Sequence, residues 1–185
     1  LVSEFYRPMG LEHTLFQPLN RYKKEDIMPT AANDYLRRQD LCGYVYDEAA
    51  AFMGGVSGNA GLFSTAQELG KIYQMILNEG ELDGKRYLRR IFTTEKSAVS
   101  HRGLGYDKPN LKDPKANACA SSAPASVYGH TGFTGTCTWV DPENDLVYIF
   151  LSNRLCPDAW NGKLNSMKLR QAIQEVIYQS LYTPE

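Results

Sequence analysis

The clearest periodic signal in the chain is Leu69, Ile72, Tyr73, Ile76 and Leu77, apolar positions that line one face of a helix. Ser64 stands before it as an N-cap, Gln67 completes a capping box, and Asn78 with Gly80 marks the stop. A second stripe follows the opening Asn161-Gly162-Lys163. It runs through Leu164, Met167, Arg170-Gln171, Ile173-Gln174, Val176-Ile177 and Leu181. It predicts a helix over 162–182 that packs on a sheet, with Met167 in the core and Ile173, Val176 and Ile177 facing the strands. Between the helices, Thr136-Cys-Thr-Trp-Val140 alternates, and Leu146-Val-Tyr-Ile-Phe-Leu151 is continuously apolar. The turn Asp141–Asp145 joins them, and Pro142 presets its φ. The pattern predicts a hairpin over 127–152 whose second strand is central and covered on both faces.

The remaining stretches are weaker. Pro8, Pro18 and Pro29 break any long helix in residues 1–63, and Leu15–Gly43 reads as an irregular excursion with short helical turns. Glu48–Met53 predicts a short helix stopped by Gly54-Gly55, Glu81–Gly84 a turn, and Leu88–Lys96 another short helix. Residues 107–126 lack periodicity and read as a long surface loop, either the rim of a cleft beside the strand that follows or a connection without a role. The sum is an α+β chain read as one domain over 1–185. Residues 1–100 are mainly helical and irregular, and residues 101–185 carry the sheet strands and the terminal helix.

Composition narrows the function classes. A net charge of −1 with scattered Lys and Arg leaves no nucleic-acid footprint. No apolar run approaches the ~20 residues that span a bilayer. Cys42, Cys119, Cys137 and Cys156 form no C-x-x-C pair, so free, partly buried thiols are expected. His13, His101 and His130 are dispersed and suggest no metal site.

The chemistry concentrates in Tyr128-Gly-His-Thr-Gly-Phe-Thr-Gly-Thr136, where Gly129, Gly132 and Gly135 open the backbone to close approach. His130-Thr131-Gly132 resembles the third active-site motif, basic residue-Thr-Gly, of the serine β-lactamase and penicillin-binding-protein superfamily. The likeness extends in order along the chain. Pro8-Met-Gly-Leu-Glu-His-Thr14 resembles the family's Pro-Leu-Gly-Met-x-x-Thr turn. Gly54–Ala66 resembles its Gly-rich entry into a long helix, and Gly103-Leu-Gly-Tyr106 its strand opening. Asp141–Asp145 and Ser152-Asn-Arg154 complete the set. Together these cover about Phe5 to Arg170.

The resemblance implies the C-terminal portion of a β-lactamase/transpeptidase-like domain, extracytoplasmic in a bacterium. It implies a serine hydrolase that passes through an acyl-serine on a peptide or ester, with neither metal nor organic cofactor. It assigns His130 and Thr131 to the catalytic wall, the Phe133 N–H to the oxyanion hole, and Gly132, Asn59 and Ala60 to the substrate-binding surface. A Tyr often stands where Ala60 is. Lysine is commoner at the position of His130. An imidazole titrates near ~6.5 where lysine is a fixed cation, so carboxylate recognition is expected to be weaker and more pH-dependent.

Ser-x-x-Lys and Tyr-x-Asn, the family's first two motifs, occur nowhere in the 185 residues. Thr93-Thr-Glu-Lys96 imitates the first in the wrong place. Ser57 in Gly55-Val-Ser-Gly-Asn59 fails as a nucleophile elbow because Asn59 stands where Gly is needed. The expectation is therefore an inactive piece of a larger catalytic domain. Its partners would be the missing N-terminal part and a peptide or ester substrate, and an uncovered sheet edge would favour self-association. The rival expectation is a non-catalytic module that binds cell-wall peptides or a partner chain.

Overall fold

The computed structural model describes residues 1–90, 92, 100 and 102–182. Most of the expected Leu88–Lys96 helix, the Thr93–Lys96 segment and His101 lie outside them. The chain divides into two compact units. The first comprises Leu1–Leu69, Phe133–Gly135 and Leu151–Gly162, and the second Gly70–Gly132, Thr136–Phe150 and Lys163–Glu185.

In the first unit, Leu15–Phe16 (β1) pairs antiparallel with Leu62–Phe63 (β4). In the stretch expected to be irregular with short helical turns, such turns form at Pro18–Asn20 and Lys24–Asp26, but an unexpected hairpin follows, Pro29–Asp34 (β2) with Gln39–Cys42 (β3). Its register shifts twice, which explains why no alternation shows in the sequence. Asp34 closes the turn, accepting from the Arg37 N–H at 2.7 Å and from its guanidinium at 3.1 Å. The Ala32 N–H donates to Leu155 O, so the 151–162 segment joins this hairpin. The short helix Glu48–Phe52 (α1) forms as expected, with Asp47 as its N-cap accepting from the Ala50 N–H at 2.8 Å.

The second long-range anchor of this unit is the start of helix Ala66–Leu77 (α2). Its side-chain cap is Thr65, whose Oγ1 accepts from the Glu68 N–H at 3.2 Å, so the expected Ser64–Gln67 box is replaced by a cap one residue later. Ser64 Oγ is occupied with Thr14 Oγ1 at 2.8 Å. Glu68 turns away from the cap and takes donors from the Glu12–Thr14 turn.

The second unit begins with a small hairpin, Glu81–Leu82 (β5) and Lys85–Arg86 (β6), at the expected turn. Its main sheet is antiparallel, in the order Tyr128–Thr131 (β7), Cys137–Asp141 (β8), Leu146–Phe150 (β9). The fully buried strand is β8, in the middle, whereas β9 is mostly half-buried and lies at the edge among the described residues. Continuous apolarity in β9 therefore does not mark a central strand here.

Side chains alternate across this sheet. On one face Tyr128 reaches Ile76 O at 3.2 Å and Thr138 donates to the Tyr73 hydroxyl, so α2 covers it. On the other, Cys137, Trp139 and Tyr148 form a core with Cys119 and Val127, against which Ile177 packs. Cys119 and Ala120 are buried, so the 107–126 connection is partly core rather than all surface.

A single helical turn, Lys163–Ser166, precedes the last helix, Leu169–Tyr182 (α3). Gln174 and Tyr178 are its buried positions, at 1% exposure each, whereas Met167, Ile173 and Val176 are exposed. The helix is thus rotated from the expected stripe, and Ile177 alone of the three named positions meets the strands. Polar anchors decide the rotation. Gln174 Oε1 accepts from the buried Ala120 N–H at 2.9 Å, and the Tyr178 hydroxyl donates to Asp141 Oδ2 at 2.8 Å. A buried N–H or carboxylate left without partners would cost more than an exposed Val.

Candidate active-site wall

Strand β7 sets the first part of the site. Gly129 exchanges backbone hydrogen bonds with Asp107, and a Cβ on Gly129 would sit 2.1 Å from Thr138 O and 2.7 Å from the Trp139 ring. The strand therefore lies against β8 without room for a side chain. His130 then points outward and is exposed, and Thr131 is half-buried.

The His130 ring is oriented by two groups. Its Nδ1 lies 2.7 Å from Thr131 O, and since a carbonyl accepts, Nδ1 carries the hydrogen. Nε2 then faces Asp107 Oδ2 at 3.8 Å, and the other Asp107 oxygen is 2.9 Å from Arg102 Nη1. The imidazole presents Nε2 beside a carboxylate already shared with a guanidinium.

Gly132 ends the strand. Its N–H donates to Thr136 O at 2.8 Å, and a Cβ would stand 2.2 Å from Thr136 Oγ1. The space that this glycine leaves is filled by the hairpin's own Thr136. Arg170 of α3 closes the same turn, donating from Nη1 to Gly132 O at 3.3 Å and to Thr136 O at 3.0 Å.

Phe133, Asn59 and Ala60 belong to the first unit. Phe133 O accepts from Arg154 Nε at 2.7 Å, the Arg154 guanidinium lies 4.2 Å from the Phe133 ring centroid, and the ring stacks on Tyr46 at 5.4 Å and 11°. The Arg154 N–H holds Thr134 O at 2.8 Å, and Ser152 Oγ holds Gly135 O at 2.9 Å. Residues 133–135 are thus fastened by the carbonyls, while the Phe133 N–H donates to no group among the described residues.

Tyr46 links this loop to Asn59. The next residue, Asp47, accepts from Asn59 Nδ2 at 3.2 Å, and Asn59 Oδ1 accepts from Ser57 Oγ at 2.5 Å. The Asp47 carboxyl is held below its usual range by the Ala50 N–H and then by the Asn59 amide. Ser57 spends its hydroxyl hydrogen on an amide oxygen, which is not a base. Ala60 is half-buried.

Other reactive groups are set aside by burial, which pushes the Cys119 and Cys137 thiols up to about 11. All four cysteines are free. Among the described residues, no three His, Cys, Asp or Glu side chains gather as a metal site, and no helix is long and apolar enough to cross a membrane. Asp107, Arg170 and Tyr46 were not singled out by sequence motif. Arg154 fell within the Ser152-Asn-Arg154 segment, but nothing in the residues alone gave it a carbonyl to hold.

The beta-lactamase family model matches residues 1–168. This chain belongs to the beta-lactamase family. A relative from Escherichia coli K12, provisionally named D-alanyl-D-alanine carboxypeptidase, is 36% identical over 168 residues, which cover 82% of this chain and 38% of the relative. A relative from Salmonella gallinarum with the same provisional name is 34% identical and covers 88% and 41%. The chain thus spans about two fifths of the length of these curated relatives. A beta-lactamase crystal structure from Mycobacterium bovis shares the fold, with a TM-score of 0.57 at 19% identity, over 97% of this chain and 54% of that one. The α+β assignment stands with it.

Proposed function

We propose that this chain supplies the third-motif wall of an acyl-serine hydrolase acting on a peptide amide or ester, and that the nucleophile motif lies in sequence outside these 185 residues. One observation carries the reading. Directly after His130-Thr131-Gly132, the Phe133 N–H is left without an acceptor in a loop whose carbonyls are fastened. A donor that is fixed and unspent is what a developing oxyanion requires.

In this reading a serine Oγ bonds to the substrate carbonyl carbon, and the negative charge forming on its oxygen is met by the Phe133 N–H. The carbonyl re-forms as the C–N or C–O bond to the leaving group breaks and a proton passes to that group. Water then attacks the acyl-serine, releasing the acid and restoring the serine hydroxyl. Thr131 offers its hydroxyl to the substrate's carboxylate or carbonyl. His130 Nε2, when protonated, adds a cation beside it. The provisional names of the relatives support a peptide ending in D-alanyl-D-alanine as substrate, and with it an extracytoplasmic place of action.

The test is labelling. The 185-residue chain is expected neither to hydrolyse nitrocefin or p-nitrophenyl esters nor to react with a fluorophosphonate. A longer product of the same gene bearing Ser-x-x-Lys is expected to be labelled on that serine and to release D-alanine from a D-alanyl-D-alanine peptide. Stoichiometric labelling of Ser57, or of any serine in the 185-residue chain, would overturn the reading. So would an unlabelled longer product.

A further inference from the structure

Arg170 lies in the first turn of α3, 38 residues along the chain from Gly132. Its Nη1 hydrogen bonds go to Gly132 O and Thr136 O, and its Nη2 reaches Asn165 Oδ1 at 3.2 Å. Its Nε is buried with no hydrogen-bond partner among the described residues. A guanidinium keeps its charge at any working pH, and burying one of its donors unmatched is costly. Arg170 therefore sits where the carbonyls of the turn are reached, not where its own donors are best satisfied.

The consequence passes through one amide. Gly132 C=O and Phe133 N–H belong to a single peptide unit, which is planar and trans, so the two bonds point in opposite directions. A group that fixes the carbonyl fixes the N–H. A charged donor on the carbonyl oxygen also draws electron density from the nitrogen and strengthens the N–H as a donor.

We infer that Arg170 is a positioning residue for the oxyanion hole: by holding Gly132 O it aims and strengthens the Phe133 N–H. The inference rests on the acyl-serine reading above for its role, but not for its geometry. It places a specificity for developing negative charge in the last helix, far from any motif.

Geometry and role are separable by experiment. Gly132-Phe133 is the single Gly-Phe step in the sequence, so labelling with ¹³C-carbonyl glycine and ¹⁵N-phenylalanine gives one correlated amide signal. In the 185-residue chain, Arg170→Met is expected to move the Gly132 carbonyl resonance upfield and broaden or split the signal. Arg170→Gln, which keeps a donor without the charge, and Arg170→Lys are expected to fall between. An unchanged Gly132 carbonyl in folded Arg170→Gln and Arg170→Lys overturns the inference, whatever the Met variant does.

In the longer product, Arg170→Met is expected to lower kcat about tenfold or more with KM within about threefold, and Arg170→Lys to recover part of it. A change in KM alone overturns the positioning role. An unreactive longer product with a shifted Gly132 carbonyl counts against the acyl-serine reading and leaves the hold of Arg170 on the amide established.

Discussion

Thr14 Oγ1 donates to Glu68 Oε2 at 2.7 Å, joining two residues 54 positions apart in sequence. Glu68 also accepts from the backbone N–H groups of Glu12 at 2.8 Å and His13 at 2.9 Å, and lies 2.9 Å from the His13 ring. Burial by itself would raise this carboxyl, but the donors from Thr14, His13 and Glu12 outweigh it and hold Glu68 at about 2, against an ordinary 4.5. Because the folded value lies below the unfolded one, the stabilisation is complete above pH 4.5 and drains away as pH falls toward 2. Glu68→Gln is expected to cost roughly 2–3 kcal/mol at neutral pH. Chemical denaturation of both proteins across pH 3–7 checks it: the curves should converge on the acid side, and a constant gap would contradict the assignment.

The glycines of the β7 turn separate by what their missing side chains would strike. At Gly129 the obstacle is the Thr138 backbone carbonyl at 2.1 Å, whereas at Gly132 it is the Thr136 hydroxyl at 2.2 Å. Backbone cannot yield without breaking the ladder, but a side chain can be removed. Gly132→Ala combined with Thr136→Ala is therefore expected to recover most of the stability that Gly132→Ala loses. Gly129→Ala is expected to cost more than about 3 kcal/mol and to resist rescue by any change at Thr138. Thermal melts of the four proteins decide this, and equal rescue at both sites would refute it.

Sequence patterns located what is local and missed what is long-range. α2, α1 and the β8–β9 hairpin followed from periodicity and stop signals, and His130-Thr131 fell on a strand within the hairpin expected over 127–152. The β2–β3 hairpin was hidden because its register shifts remove the alternation by which strands are recognised. The rotation of α3 was hidden because Gln174 and Tyr178 are buried by partners, Ala120 and Asp141, that lie 54 and 37 residues away. A hydropathy stripe weighs Gln174 as polar and Val176 as apolar, and the fold inverts both. In the candidate site the same limit hid Arg170: its partners are backbone carbonyls, and a carbonyl leaves no trace in residue identity.

That inversion predicts an unusual mutational order in α3. Val176 is 63% exposed and Gln174 1% exposed. Val176→Glu is expected to change stability by less than about 0.5 kcal/mol. Gln174→Leu strands the Ala120 N–H and is expected to cost about 1–3 kcal/mol, although it replaces a polar residue by an apolar one. Urea unfolding of the two variants tests the rotation, and the reverse order would restore the stripe reading.

The last prediction concerns the edge of the sheet. Leu146-Val-Tyr-Ile-Phe150 is entirely apolar and aromatic, without the Lys, Pro or bulge that blunts exposed edges, and among the described residues no strand pairs with its outer side. An edge of this composition recruits another strand. We propose that in the 185-residue chain the recruit is a second copy, and that in the longer product it is sequence outside these residues. Light scattering of the chain is expected to show a mass that rises with concentration, and Ile149→Lys is expected to suppress the rise by placing a charge in the new interface. In the longer product the edge is already covered, so the mass should stay at one copy. A monodisperse monomer of the 185-residue chain at high concentration would mean that β9 is not an open edge in solution. A longer product that associates as strongly would mean that the added sequence does not cover it.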